Sequence, residues 1–507
     1  MNVYLLSLLV FSPLLGILMI SLMPKKEERT IKQFGFFGTL PPLILSFFLC
    51  SQYYSGVALS AFSIKVDWIR FGNLEMYDPK LFAVNYELGL DGLSLSFILL
   101  TTIVSSLAAM ASIYIKQGWK GYYLLFLILE IGMLGVFTAE NLILFFIFFE
   151  MTLVPAFFLI GRWGFLEREK ASYYFLIYNG IGSAVLLVAI LILFARTGTT
   201  NIAALTQMMT MGGVSLFAPI SSSMKYGLCL AFLIAFAIKL PVFPFHSWMV
   251  RVHAEAHPSI VMVHAGVLLK IGAYGIIRFA MGIFPEQYES LALALVLMGV
   301  ISFLYGAWLA MVQTDFKLVL AYSSISHMGI VMMGLGALNE AGLQGAVFQV
   351  ISHGLIAALL FFLVGALYER TGSTMLPNLG GLARSMPVFS GFLLACGLAS
   401  LGLPGMSGFI SEFMVFLGLF KGQPLLAAIA VIGLIFTAIY ILRAVMLMTF
   451  GKNDSLEEKE KRDIEGWELV PALVLLGLII AIGVYPNLLG GPIQSTIEAV
   501  MLALGGR

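Results

Sequence analysis

The sequence predicts an all-α polytopic membrane protein of about fourteen spanning helices, and three observations predict it. Apolar residues make up 60% of the chain and charged residues 11%, against roughly half and a quarter in soluble domains. Apolar runs long enough to cross ~30 Å of hydrocarbon as helix are centred near residues 13, 45, 103, 131, 151, 183, 235, 269, 300, 328, 356, 403, 436 and 479. The stretches between them are too short for a soluble domain, so 1–507 is a single integral membrane domain whose chemistry takes place inside the bilayer.

Residues 1–115 are expected to supply three helices. The first run, Val3–Met23, lacks a basic n-region and is followed by "PKKEERTIK" rather than a small-residue cleavage site, which makes it a retained helix rather than a signal peptide. Ahead of the third helix, "FSIKVDWIRFGNLEMYDPKL" (62–81) alternates apolar and charged residues, the pattern of a short amphipathic hairpin. Helices four to eight (120–280) and nine to thirteen (288–450) form two groups of five, and because five is odd the second group sits inverted relative to the first. The fourth member of each is broken, by "KLPVFP" in one and "ASLGLPGMSGFISEF" (399–413) in the other. Residues 451–507 hold the solvated loop "GKNDSLEEKEKRDIEGWE" (451–468) and the last helix. The connections on one side carry seventeen Lys and Arg, those on the other eight, so the positive-inside rule puts both termini outside. Three basic residues are left for the membrane: Lys239, Lys270 and Arg443.

Several function classes are excluded by what is missing. Cys50, Cys229 and Cys396 are far apart and form no CxxC pair, which argues against iron–sulfur, haem-attachment or zinc sites and for simple packing. There is no glycine-rich dinucleotide fingerprint, no P-loop and no basic stretch suited to nucleic acid. Any redox cofactor is therefore expected on other chains, and no metal site in this one.

The chemistry resides in ionisable residues set in apolar runs. Glu150 lies in "NLILFFIFFEMTLVP", Lys239 just before the first break, Lys270 inside "IVMVHAGVLLKIGAYGII", and Glu412 just after the second break. Each costs at least ~2.5–3.5 kcal/mol to insert, and such positions are usually proton relays, ion sites or buried partners. A Glu150–Lys239 ion pair that only holds helices together is the bland alternative, but packed apolar residues serve that purpose at least as well. Low dielectric disfavours a charged amine and a nearby carboxylate favours it, so moving the carboxylate switches the lysine between protonation states. Pro241 and Pro244 are expected to free backbone carbonyls beside Lys239 and make room for water. His327 and His353, with Ser323, Ser324 and Ser326, extend the set into a polar line. His246, His253, Glu255, His257 and His264 cluster at the expected inner end of helices seven and eight, where the spacing fits proton entry or loop structure better than a metal. Lys317 marks the inner boundary of helix ten.

Taken in order, "LDGLSLSF", "FFEMTLVPAFFLIGRWG", "KLPVFPFHSW", "GVLLKIGAYGIIRF", "TDFKLVLAYSSISHMG", "ISHGLIAALLFFLVGALYERTG" and "ASLGLPGMSGFISEF" resemble the antiporter-like subunit M (subunit 4) family of proton-translocating NADH:quinone oxidoreductase, respiratory complex I, over about residues 90–420. The resemblance implies inverted five-helix repeats, Glu150 paired with Lys239, Lys270 as connecting lysine, His327 and His353 as a central axis, and Glu412 as terminal group. It also implies membrane-arm partner subunits, with NADH, FMN, iron–sulfur clusters and quinone on partners, a translocase role without redox chemistry in this chain, and a bacterial plasma membrane. Where the family usually reads W-L-P-D-A-H this chain has "WMVRVH", with Arg251 in place of the aspartate. The rivals are the D-type subunit of multisubunit Na+/H+ antiporters, against which "PFHSW", "SHMG" and "ERTG" weigh, and a purely structural membrane scaffold.

Overall fold

A computed structural model describes residues 4–70, 83–210, 220–450 and 462–505. Short single-turn pieces aside, its helices are α1 (Leu5–Leu22), α2 (Glu28–Tyr54), α3 (Gly92–Tyr114), α4 (Trp119–Thr138), α5 (Leu142–Trp163), α6 (Arg168–Thr197), α7 (Ile202–Thr210), α8 (Ser222–Lys239), α9 (Ser247–Glu255), α10 (Pro258–Met281), α11 (Pro285–Val312), α12 (Phe316–Gly336), α13 (Glu340–Thr371), α14 (Pro387–Ser400), α15 (Ser407–Gly422), α16 (Pro424–Phe450), α17 (Gly466–Val484) and α18 (Asn487–Ala503). Among the described residues thirteen helices are long and apolar enough to cross a membrane. The fourteenth expected crossing is present as two shorter pieces, α14 and α15.

In chain order the helices of the two expected groups are α4, α5, α6, α8/α9, α10 and α11, α12, α13, α14/α15, α16, and the fourth of each is interrupted. Helix starts are set by side chains that cap free N–H groups. Asp91 caps α3, Asn141 caps α5, Asp315 caps α12 and Asn339 caps α13. The expected hairpin is β1 (Ile64–Arg70) paired antiparallel with β2 (Ala83–Leu88), and its connecting residues 71–82 lie outside the described residues, as do 451–461 of the expected solvated loop. Two elements were not foreseen: α7, and the amphipathic α18, which packs on α3 and α13.

Burial sorts the helices. The most apolar windows of α10 and α13 are wholly buried, whereas those of α2 and α16 are only one-third buried. A helix surrounded by protein is where polar side chains find partners instead of lipid. Glycines make this centre compact. A Cβ on Gly354 would meet the Gly266 carbonyl oxygen at 2.7 Å, and one on Gly272 would meet the Leu240 nitrogen at 2.6 Å. Backbone therefore touches backbone between α10 and α13, and between α10 and the break that follows α8.

Candidate functional site

Lys270, His353, His327 and Glu412 form one buried polar line. Lys270 Nζ lies 2.7 Å from His353 Nδ1, and the Gly266–Gly354 contact seats the two helices close enough for that bond. The His353 and His327 rings are 5.3 Å apart between centroids. His327 Nδ1 is 3.8 Å from Glu412 Oε1. Two small cavities of about 10 Å³ each flank the pair of histidines, one of them lined also by Glu412 and the other by Ser323 and Ser324. That volume is on the scale of a single water position.

The hydrogen bonds around His327 define its resting state. Ser411 Oγ donates to Gln349 Oε1, which turns the Gln349 amide nitrogen towards His327 Nδ1 at 3.0 Å. With the amide turned this way Gln349 N–H is placed to donate to a lone pair on His327 Nδ1, and the other ring nitrogen, Nε2, lies 3.4 Å from Ser400 Oγ. A proton arriving on Nδ1 breaks the Gln349 bond and faces the Glu412 carboxylate. The second break builds this meeting point: Ser400 ends α14, Gly402 and Gly405 turn the chain with φ of +77° and +91°, and Ser407, which bonds Ser352 at 2.7 Å, starts α15. A Cβ on Gly402 would lie 2.5 Å from Glu412 Oε2, so the glycine both makes the turn and leaves space for the carboxylate.

The first break is arranged differently. Lys239 is buried at the end of α8 with its Nζ 5.0 Å from the Phe149 ring centroid and 5.8 Å from that of Phe175. Glu150, next in sequence to Phe149, acts on it electrostatically, yet Glu150 Oε1 is buried without a hydrogen-bond partner, so the expected pair is not closed. Aromatic faces hold the ammonium instead. Around this break Ile238 O accepts from Trp248 Nε1 at 3.1 Å, and Phe243 N donates to Ser302 Oγ at 2.9 Å.

Three further placements complete the picture. His253 and His264, from the cluster expected at the inner end of the seventh and eighth helices, are fully buried, His253 Nε2 lying 3.0 Å from His264 Nδ1. Arg443 is exposed and donates to the Met311 carbonyl at the end of α11, which makes it a boundary residue and not a member of the core. Glu130 on α4, not singled out from sequence, is fully buried with neither carboxylate oxygen hydrogen-bonded. The rule that found Glu150, an acid in mid-span, finds "LILEIG" equally well. At the start of α12 Lys317 Nζ sits 3.7 Å from the Phe165 ring centroid and donates to the Ala254 carbonyl at 3.1 Å, while Arg251 stacks on Tyr174 at 4.3 Å.

Comparison with known proteins agrees with this geometry. Residues 139–437, which hold both breaks and all six candidate residues, match the model of the family described as NADH:quinone oxidoreductase/Mrp antiporter, transmembrane. The chain is 38% identical to NAD(P)H-quinone oxidoreductase chain 4 2 of Thermosynechococcus vestitus, covering 98% of this chain and 91% of that one. It is 33% identical to NADH-quinone oxidoreductase subunit M of Rickettsia prowazekii, covering 98% of each. Among solved structures, a chain of respiratory complex I from Thermus thermophilus superposes with a TM-score of 0.86 at 30% identity, covering 99% of this chain and 100% of that one. With the family model matched over more than half of its length and relatives above 30% identity aligned over nearly all of it, the chain belongs to the NADH:quinone oxidoreductase/Mrp antiporter membrane-subunit family.

Proposed function

We propose that this chain is a proton-translocating membrane-arm subunit of an NADH:quinone oxidoreductase. Electron transfer from NADH through FMN and iron–sulfur clusters to quinone takes place on partner subunits. This chain supplies the path, with Glu150, Lys239, Lys270, His353, His327 and Glu412 passing protons. The observation that carries the reading is the buried line from Lys270 to Glu412, with 2.7 Å between Lys270 Nζ and His353 Nδ1, 5.3 Å between the two imidazole centroids and 3.8 Å between His327 Nδ1 and Glu412 Oε1. Residues 120–280 and 288–450 act as two inverted half-paths, the first ending in a base and the second in an acid. Both termini face the outside of a bacterial plasma membrane, and neighbouring antiporter-like subunits flank the chain in the bilayer.

Lys239→Ala and Glu412→Gln test this in the assembled complex. Each is expected to lower proton pumping and coupled quinone reduction about tenfold, in the range of ordinary site-to-site coupling. NADH oxidation by an artificial acceptor at the peripheral arm should stay at the level of the parent complex, showing that assembly survives. If both variants pump at the parent rate, the charges are structural.

A further inference from the structure

We propose that His264 and His253 form a two-imidazole relay that carries a proton between Lys239 and the Lys270–His353 pair. The inference deepens the proton-path reading and rests on it, since it assumes that both lysines exchange protons.

The gap it fills is visible in the geometry. Lys239 is held by aromatic rings at the first break, while Lys270 is bonded to His353 on the central helix, and no direct bond joins the lysines. The histidine dyad neighbours both. Phe175 is shared: Lys239 Nζ and the His264 ring each lie 5.8 Å from its centroid, on α8 and α10 respectively. His264 is within electrostatic reach of both lysines, and His253 of Lys270 and His353. His264 opens the π-helical turn His264–Leu268 that runs directly into Lys270, and π turns inside α-helices recur at functional positions.

Four ring nitrogens decide between relay and packing. The two inner ones, His253 Nε2 and His264 Nδ1, bond each other at 3.0 Å. The two outer ones, His264 Nε2 and His253 Nδ1, are buried with no hydrogen-bond partner. A pair present only for packing leaves two orphaned polar atoms, a desolvation cost that apolar side chains would not carry. Open outer nitrogens are what a relay needs. Trp248 and Phe361 stand edge-on against the rings at 5.5 and 5.2 Å and hold them in line.

The transfer balances without a co-reactant. Starting with His264 protonated on Nδ1 and His253 on Nδ1, a Lys239 N–H bond breaks and an N–H bond forms on the His264 Nε2 lone pair. The His264 Nδ1 proton moves to His253 Nε2, and the His253 Nδ1 proton leaves towards Lys270 or His353. Both rings end as the opposite tautomer, and ring rotation or a proton in the reverse direction resets them.

The test uses the whole complex reconstituted in proteoliposomes, with His264→Leu, His253→Leu, the double variant, His264→Gln and Lys239→Ala side by side, each normalised to NADH oxidation by an artificial acceptor. Each single Leu variant is expected to cut pumping at least fivefold, and the double variant no further than the weaker single, because either lesion interrupts the same transfer. Independent packing defects would multiply instead, and that result overturns the relay. If His264→Leu does not assemble, His264→Gln decides, since it keeps a hydrogen bond to His253 but cannot carry a proton: lost pumping supports the relay and retained pumping overturns it. Pumping at the parent rate in the histidine variants while Lys239→Ala is blocked sinks the relay alone. Pumping at the parent rate in Lys239→Ala sinks the proton-path reading beneath it.

Discussion

Gly402 shows how a residue with no side chain governs one that titrates. Its φ of +77° lies where a side chain costs roughly 1–2 kcal/mol, and its missing Cβ would stand 2.5 Å from Glu412 Oε2. Gly405 has the same kind of backbone, φ +91°, with open space around it. Gly402→Ala is therefore expected to lower pumping several-fold in assembled complex, whereas Gly405→Ala shares the strain but leaves the carboxylate in place and should keep most of the rate. Equal losses in the two would mean that backbone strain, not the carboxylate, is at work. At this scale the ionisable residues were legible, since a charge inside an apolar run stands out by cost alone. Their partners were not. Gln349, Ser400 and Ser411 are ordinary polar residues whose role depends on which helix faces which. The depth of His253 and His264 was hidden as well, because their proximity to Glu255 and His257 reads as a surface loop while α9 continues the broken helix inside the protein.

Among the elements, α3 is fixed at its N-terminal end by a single carboxylate. Asp91 caps the helix by accepting from Ser94 N at 2.8 Å, accepts from Thr496 Oγ1 on α18 at 3.2 Å, and pairs with Arg278 on α10. Burial pushes the Asp91 carboxyl up, but the Arg278 guanidinium and the hydrogen bonds outweigh it and hold it below its ordinary value of 3.8. A depressed native value means that the stabilisation is present above the unfolded value and is lost as pH falls through the native one. Asp91→Ala is expected to cost on the order of 1–2 kcal/mol between pH 5 and 8, with the difference from the parent shrinking below about pH 4. Thermal unfolding of the detergent-solubilised complex across that pH series checks it, and a difference that grows on acidification would contradict the assignment. α18 itself was not legible because it opens with "NLLGGP", whose glycines and proline read as a chain terminus rather than a helix. The broken helices were legible for the complementary reason, since a proline in an apolar run removes a helix hydrogen bond that hydrocarbon cannot replace.

For the whole molecule the fourteen runs could be counted directly, because a bilayer imposes one length on every crossing. Whether the carried ion is H+ belongs to this scale too. A hard cation needs several converging oxygen ligands, while the line from Lys270 to Glu412 is built mainly of nitrogen. Replacing Na+ by choline is expected to leave pumping and quinone reduction by the intact complex unchanged, and strict Na+ dependence would favour the antiporter alternative. The crossing of α10 and α13 at Gly266 and Gly354 sets what such a machine can do. With main chain against main chain there is no side-chain cushion to compress, and a Cβ on Gly354 would force these two buried helices apart. If the chain passes protons as proposed, movement is expected in the imidazoles and amines around this crossing and at the breaks between α8 and α9 and between α14 and α15, rather than in the crossing itself. An engineered clamp across α10 and α13 would leave the cycle running, and one across either joint would stall it.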